Sequence, residues 1–318
     1  MKRSHLVVAA LALMALPALA RQHQHHEPPT PPAGRTSAAS PTLAGQIEEV
    51  RQATARYRDH AVARDDGYRV FGSEGALMGE HWYRSDLVRK PLALDQPSTL
   101  QYATIANERR LVGVAYTTYR RPTDPMPEGF VGADDHWHVH DVVKLARAIS
   151  EGRPLLRWLT ENRITRGKLG GGDGRTHLTM VHAWIWLENP DGMFANDHPV
   201  LPYLRAGLPE SWAEKGRLDA ARGISLAARD GCASEIKRIN ALAQLERAQR
   251  RTMAERCDRA AREVRVAIDR PERTAAEVNQ TSERAWRAFV EAKDTLLTSD
   301  QKRRLASIVE HDPSHSDH

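Results

Sequence analysis

Two periodicities divide this chain. Over residues 45–64, Ile47, Val50, Ala53 and Tyr57 recur at helical spacing with charges between them, which predicts an amphipathic helix ended by Asp65-Asp66-Gly67. Residues 68–83 follow, punctuated by Gly72, Gly75 and Gly79. Residues 99–105 and 110–119 are rich in β-branched and aromatic side chains and read as two strands, joined as a hairpin through the polar turn Ala106-Asn107-Glu108-Arg109. Residues 176–187 alternate cleanly, so Leu178, Met180, His182, Trp184 and Trp186 are expected on one face of a third strand, before the turn Asn189-Pro190-Asp191-Gly192.

Between these strands, residues 132–141 read Gly-Ala-Asp-Asp-His-Trp-His-Val-His-Asp. His136, His138 and His140 alternate, and on an extended strand alternate side chains share a face about 7 Å apart. Asp141 is placed to end the strand and N-cap a helix, because Val142, Val143, Leu145, Ala146 and Ile149 follow in helical spacing; Gly152 and Pro154 close it.

From residue 211 the pattern changes. Gly231 and Pro271 bracket a stretch without Gly or Pro, rich in Ala, Arg, Glu and Leu, whose apolar stripe runs through Ile236, Ile239, Leu242, Leu245, Met253, Cys257, Ala260 and Val264. A second helix is expected over 274–297 and a short one, capped by Ser299, to Val309, an antiparallel helical hairpin with an added segment. Cys232 and Cys257 lie 25 residues apart, about 37 Å on one straight helix. Either that helix is broken, or the thiols are free, or they bond between chains. The pattern as a whole predicts an α+β chain: an antiparallel-sheet domain over 45–210, then an all-α domain over 211–310.

Composition adds the ends. Lys2 and Arg3, the apolar run 6–16 and Ala18-Leu19-Ala20 have the form of a secretory leader cut near Ala20, so a periplasmic or secreted protein is expected. Residues 21–44 are rich in His, Pro, Ala, Ser and Thr and read as a disordered linker; residues 311–318 read as a His-rich tail. His23, His25 and His26 in the linker are loose metal collectors or a solvated tether. The net charge of +5 falls to +3 once Lys2 and Arg3 leave with the leader, too mild for a nucleic-acid footprint, and no later segment is apolar enough to span a membrane.

Candidate chemistry centres on histidine. Neutral imidazole is the commonest metal ligand. His136 and His140 would be about 13 Å apart on a regular strand, too far to share one ion whose ligands sit about 2 Å away. Neighbouring pairs can share one, with a third ligand from His81 or His182. Nitrogen ligands suit a divalent transition metal such as zinc or copper. Glu80 beside His81 is the candidate general base should the site be catalytic. No His-Glu-x-x-His, Gly-x-Ser-x-Gly or phosphate-loop motif is present.

Met78-Gly79-Glu80-His81-Trp82, Arg110-Leu111-Val112-Gly113-Val114, and His182-Ala183-Trp184-Ile185-Trp186 running into Asn189-Pro190-Asp191-Gly192-Met193-Phe194 together resemble a group of exported bacterial proteins of unknown function. The resemblance covers about residues 46–200 and implies one domain there, with His81 and His182 singled out. Leu297-Thr298-Ser299-Asp300-Gln301 resembles the Leu-Thr-x-x-Gln element of small periplasmic stress and metal-resistance proteins, in which it usually occurs twice; one copy is evident here.

Three functions remain open on these grounds. The first is a periplasmic metal-binding protein using His81, His136, His138, His140 and His182. The second is a metal- or His/Glu-dependent enzyme with an aromatic pocket. The third is a non-catalytic envelope protein that pairs with itself or a partner through its helical hairpin.

Overall fold

The computed structural model describes residues 42–132 and 135–306. The leader, the linker with His23, His25 and His26, Asp134 and the His-rich tail lie outside them.

The expected first helix is three short pieces. Helix α1 (Leu43–Thr54) passes through a 3-10 turn into α2 (His60–Asp65), which restarts at Asp59, whose carboxylate accepts from the Ala61 N–H. Six antiparallel strands follow: β1 (Arg69–Gly75), β2 (Gly79–Tyr83), β3 (Thr99–Ile105), β4 (Glu108–Arg120), β5 (His138–Asp141) and β6 (His177–Ala183), in the order β1-β2-β3-β4-β6-β5. The β3–β4 hairpin is tighter than expected. Ala106 and Asn107, at φ 50° and 64°, turn it in two residues, as the right-handed twist of the strands favours, and Glu108 and Arg109 already pair.

Helix α3 (Val142–Ser150) begins at Asp141, whose Oδ1 accepts from the Val143 and Lys144 N–H groups at 2.9 Å. Pro154 does more than close it. It sits in the first turn of a further helix, α4 (Pro154–Thr165), where its missing N–H costs nothing. Strand β6 stops at Ala183, so Trp184 and Trp186 do not extend one face. Trp184 donates to Ala195 O at 2.6 Å, while Trp186 crosses to the other side of the sheet and donates to Thr54 Oγ1 at 3.1 Å.

The helical part comprises α5 (Val200–Arg205), α6 (Leu218–Ala227), α7 (Gly231–Ala243), α8 (Arg247–Asp269), α9 (Ala275–Leu296) and α10 (Ser299–Ala306). Its core already includes Val200, Tyr203 and Leu208, ahead of the expected boundary at 211, and takes in Leu77 from the β1–β2 turn. The single long helix expected from 231 is broken at Gln244, which is left-handed (φ 53°). That break folds α8 back on α7 and brings Cys232 and Cys257 into a disulfide, Cα–Cα 5.7 Å. The stripe proposed for pairing with a partner is consumed internally: Ile239, Leu245, Met253, Cys257, Ala260 and Val264 are buried in this core, and Leu242 is buried as well. Among the described residues no helix is long and apolar enough to cross a membrane.

The sheet has two unlike faces. One buries Trp82, Leu100, Tyr102, Val114, Tyr116, Val181 and Ala183 beneath α1, α2 and the loop bearing Phe130 and Trp137. The other carries the histidines. Its two ends are covered by apolar contacts: α5 packs Leu201 against Ala103, Ile105, Val112 and Trp184, while α3 and the Gly-rich loop 167–175 pack Val142, Ala146 and Leu169 towards Tyr119 and Leu178. The polar strip lies between these two lids.

Candidate metal centre

Register builds the strip. His81 on β2 opposes Gln101 on β3; Gln101 opposes Gly113 on β4; Ala115, two residues on, opposes His182 on β6; Met180, on the same face of β6, opposes His138 on β5. Cross-strand partners point to one side, so one face reads His81, Gln101, His182, Met180, His138 and His140, with the small residues Gly113 and Ala115 beneath. Two glycines make this geometry. At Gly79 the backbone is left-handed (φ +70°) and a Cβ would stand 2.4 Å from Tyr102 O, so the glycine of the Met-Gly-Glu-His-Trp motif is what lets β2 close on β3 and aim His81. At Gly113 a Cβ would meet the Gln101 amide oxygen at 3.0 Å and the Trp184 ring at 3.2 Å, so its absence makes room for both.

The imidazoles meet in a row. Ring centres are 5.5 Å apart for His81 and His182, 5.1 Å for His182 and His138, and 5.1 Å for His138 and His140, all edge to face. Such contacts are ordinary ring packing. The same separation, about 5 Å, is that of two imidazoles sharing one tetrahedral ion at metal–nitrogen distances near 2 Å. As the rings stand, no group of three or more His, Cys, Asp or Glu side chains among the described residues is arranged to hold a metal, so closing on an ion requires rotation of the side chains.

His138 is 1 % exposed and His182 fully buried, while His81 and His140 are half-buried. Burial pushes His81 down to about 4, and the neighbouring His140 adds to the shift. Burial lowers His140 as well. It drives His182 well below the usual imidazole range, reinforced by His138, His81 and His140. At neutral pH these three rings are therefore uncharged, the form that ligates metals. His182 is held at both ring nitrogens. Its Nδ1 lies 3.1 Å from the Gln101 amide nitrogen, and its Nε2 lies 3.1 Å from the Met180 sulfur.

Three sequence expectations fall elsewhere. His136 lies before β5 begins and is exposed, so the alternating triplet is a pair on a strand plus one residue outside it. Glu80 alternates onto the opposite face from His81, where its Oε2 accepts from Trp82 Nε1 (2.8 Å) and pairs with Arg109 (3.0 Å); it is not positioned as a base for the histidines. The acidic neighbours are also engaged: Asp141 caps α3, and Asp135 accepts from the Phe130 N–H at 3.1 Å. Conversely, Gln101 and Met180 belong to the cluster and were not singled out from the sequence. Gln101 enters through the β2–β3 register, which places it opposite His81.

The familiar-looking motifs have structural duties too. In the Asn-Pro-Asp-Gly-Met-Phe turn, Asn189 Oδ1 accepts from the Asp191 N–H, and Met193 O accepts from the Trp184 N–H, which folds the chain back beside β6. In Leu-Thr-x-x-Gln, Thr298 rather than Ser299 caps α10: Gln301 N donates to Thr298 Oγ1 and Thr298 N to Gln301 Oε1. Leu245-Glu246-Arg247-Ala248-Gln249 forms the same capping box on α8, and Gln249 and Gln301 bond each other through both amides, at 3.0 and 2.9 Å. Comparison of the chain with protein-family models, with curated proteins and with solved structures returns no match.

Proposed function

We propose that this is an exported metal-binding protein, acting in metal homeostasis or resistance, whose folded site draws on His81, His138, His140 and His182 and takes a transition metal ion, zinc or copper. The observation that carries the reading is the row of four imidazoles delivered by β2, β5 and β6 to one interior strip, three of them held neutral by burial. Apolar side chains would fill such a strip at lower cost than buried polar rings. Neutral imidazoles gathered together are suited to binding a cation without first releasing protons. The secretory leader supports export to the periplasm, and the histidines of the linker and tail would collect metal weakly and hand it inward. Both resemblances, to exported proteins over 46–200 and to Leu-Thr-x-x-Gln metal-resistance proteins, agree with this setting.

The test is metal titration by calorimetry on the mature chain with His23, His25, His26, His311, His315 and His318 changed to Ala. One ion per chain, bound more tightly than micromolar and lost in His81→Ala and His182→Ala, is the expected result. Binding that disappears with the terminal histidines alone would overturn the reading.

A further inference from the structure

We propose that Met180 is a metal ligand, that with His138 and His182 it forms a two-nitrogen, one-sulfur set, and that this set selects monovalent copper over zinc. The inference rests on the metal-binding reading above and names the ion. Three features of the strip carry it.

The first is placement. Met180 opposes His138 across the β5–β6 ladder and precedes His182 by two residues on the same face, so each of the three side chains neighbours the other two. The Met180 sulfur is 3.1 Å from His182 Nε2. A nitrogen and a sulfur bound to one ion at near 2.0 and 2.3 Å stand about 3.5 Å apart. The pair therefore needs to open by only a few tenths of an ångström to admit copper. Thioether sulfur is a soft donor that zinc does not favour and monovalent copper does.

The second is charge. Imidazole and thioether donors bring no negative charge of their own, and among the neighbouring carboxylates Glu80 is on the other face with Arg109, while Asp135 and Asp141 serve backbone N–H groups. A buried ion carries a desolvation cost that rises as the square of its charge, and ligands that bring no negative charge do not offset it. A monovalent ion faces about a quarter of the cost of a divalent one.

The third is Gln101. It is fully buried, and its amide oxygen has no hydrogen-bond partner among the described residues. As drawn, the amide nitrogen donates to His182 Nδ1, which puts the ring proton on Nε2, pointing at the Met180 sulfur. Turned over, the amide oxygen accepts from Nδ1–H instead. The Nε2 lone pair is then free, and nitrogen and sulfur converge on one point as two donors. Gln101 is thus a positioning residue that sets the His182 tautomer for metal.

The experiment uses the mature chain with the six terminal histidines replaced, loaded anaerobically with copper in ascorbate, and reads copper-edge X-ray absorption with competition against a chromophoric monovalent-copper chelator and a zinc chelator. A sulfur neighbour near 2.3 Å in the parent and its loss in Met180→Leu is expected, with monovalent-copper affinity falling about 100-fold and zinc affinity less than about threefold. Gln101→Leu is expected to weaken copper about tenfold and Gln101→Glu, which also accepts from Nδ1–H, to restore it. Copper held by nitrogen neighbours only, or zinc bound as tightly as copper, overturns this inference while leaving a metal site. Absence of tight binding of either ion overturns the metal-binding reading itself. If Met180→Leu fails to fold, the sulfur neighbour in the parent decides alone.

Discussion

At the scale of single residues, Gly79 and His198 bear the largest testable burdens outside the imidazole row. A Cβ at Gly79 meets the Tyr102 carbonyl at 2.4 Å on a left-handed backbone. Gly79→Ala is therefore expected to lose about 2–4 kcal/mol in urea denaturation, because neither the strand nor the backbone oxygen can give way cheaply. A loss under about 0.5 kcal/mol would show that β2 shifts freely. His198 is fully buried against Trp184, ring centres 4.7 Å apart, and burial pushes it down to about 4. The folded chain holds it neutral, so the unfolded chain binds its proton more readily. Above about pH 6.5 this group causes no loss. As pH falls from 6.5 towards 4, stability drops, by roughly 3 kcal/mol at 1.4 kcal/mol per pKa unit. His198→Gln is expected to flatten that acid limb when urea midpoints at pH 7 and pH 4.5 are compared; an unchanged pH dependence would mean that the ring is solvated.

At the scale of elements, the helical part is tied by features absent from a simple hairpin. The disulfide joins the start of α7 to the middle of α8 across 25 residues. Closing a loop of that length in the unfolded chain is worth about 3.5 kcal/mol. Cys232→Ser with Cys257→Ser is expected to lower the unfolding free energy by about that amount, and further by the cost of burying a hydroxyl at position 257. The two capping boxes are coupled, since Gln249 and Gln301 serve their own helix starts and each other. Gln249→Ala and Gln301→Ala should each cost on the order of 1 kcal/mol, and in a double-mutant cycle their effects should fall short of additivity by about 0.5 kcal/mol or more. Strict additivity would show that the two boxes act separately. The apolar side chains Leu155, Trp158 and Leu159 are exposed on one face of α4.

At the scale of the whole molecule, the sheet and the helical part share a boundary close to the imidazole strip. The His198 N–H donates to Leu77 O at 2.7 Å, Arg205 reaches Glu74 and Ala76 O from α5, and Gln244 donates to Glu151 O at 2.7 Å. On the proposed function, an ion bound between β2, β5 and β6 would stabilise that assembly by mass action, about 2.7 kcal/mol at one hundred times the dissociation constant. For a chain of this size that is a rise of about 5–10 °C in Tm. The rise should appear in calorimetric scans with copper and vanish in His182→Ala.

The hydrophobic pattern by itself determined the α+β class, the β3–β4 hairpin, the Asp141 cap, the β6 strand and the helices at 275–296 and 299–306, because alternation, helical spacing and capping chemistry act over a few residues. The alternation of histidines and the motif resemblance pointed to His81, His136, His138, His140 and His182. What lay beyond it was set by contacts distant in sequence. The left-handed break at Gln244 is a local cost offset by packing and the Cys232–Cys257 bond, so a continuous helical pattern concealed two helices. β6 runs on to Ala183, but the chain joins it only at His138, so His136 lies off the ladder and the triplet is left a pair. Alternation alone assigns Glu80 and His81 to opposite faces, but only the assembled sheet shows that the face with His81 is the one that gathers histidines. Gln101 and Met180 joined the site because the register of three separate strands aligned them, and pairing between strands is written in no single stretch of the chain.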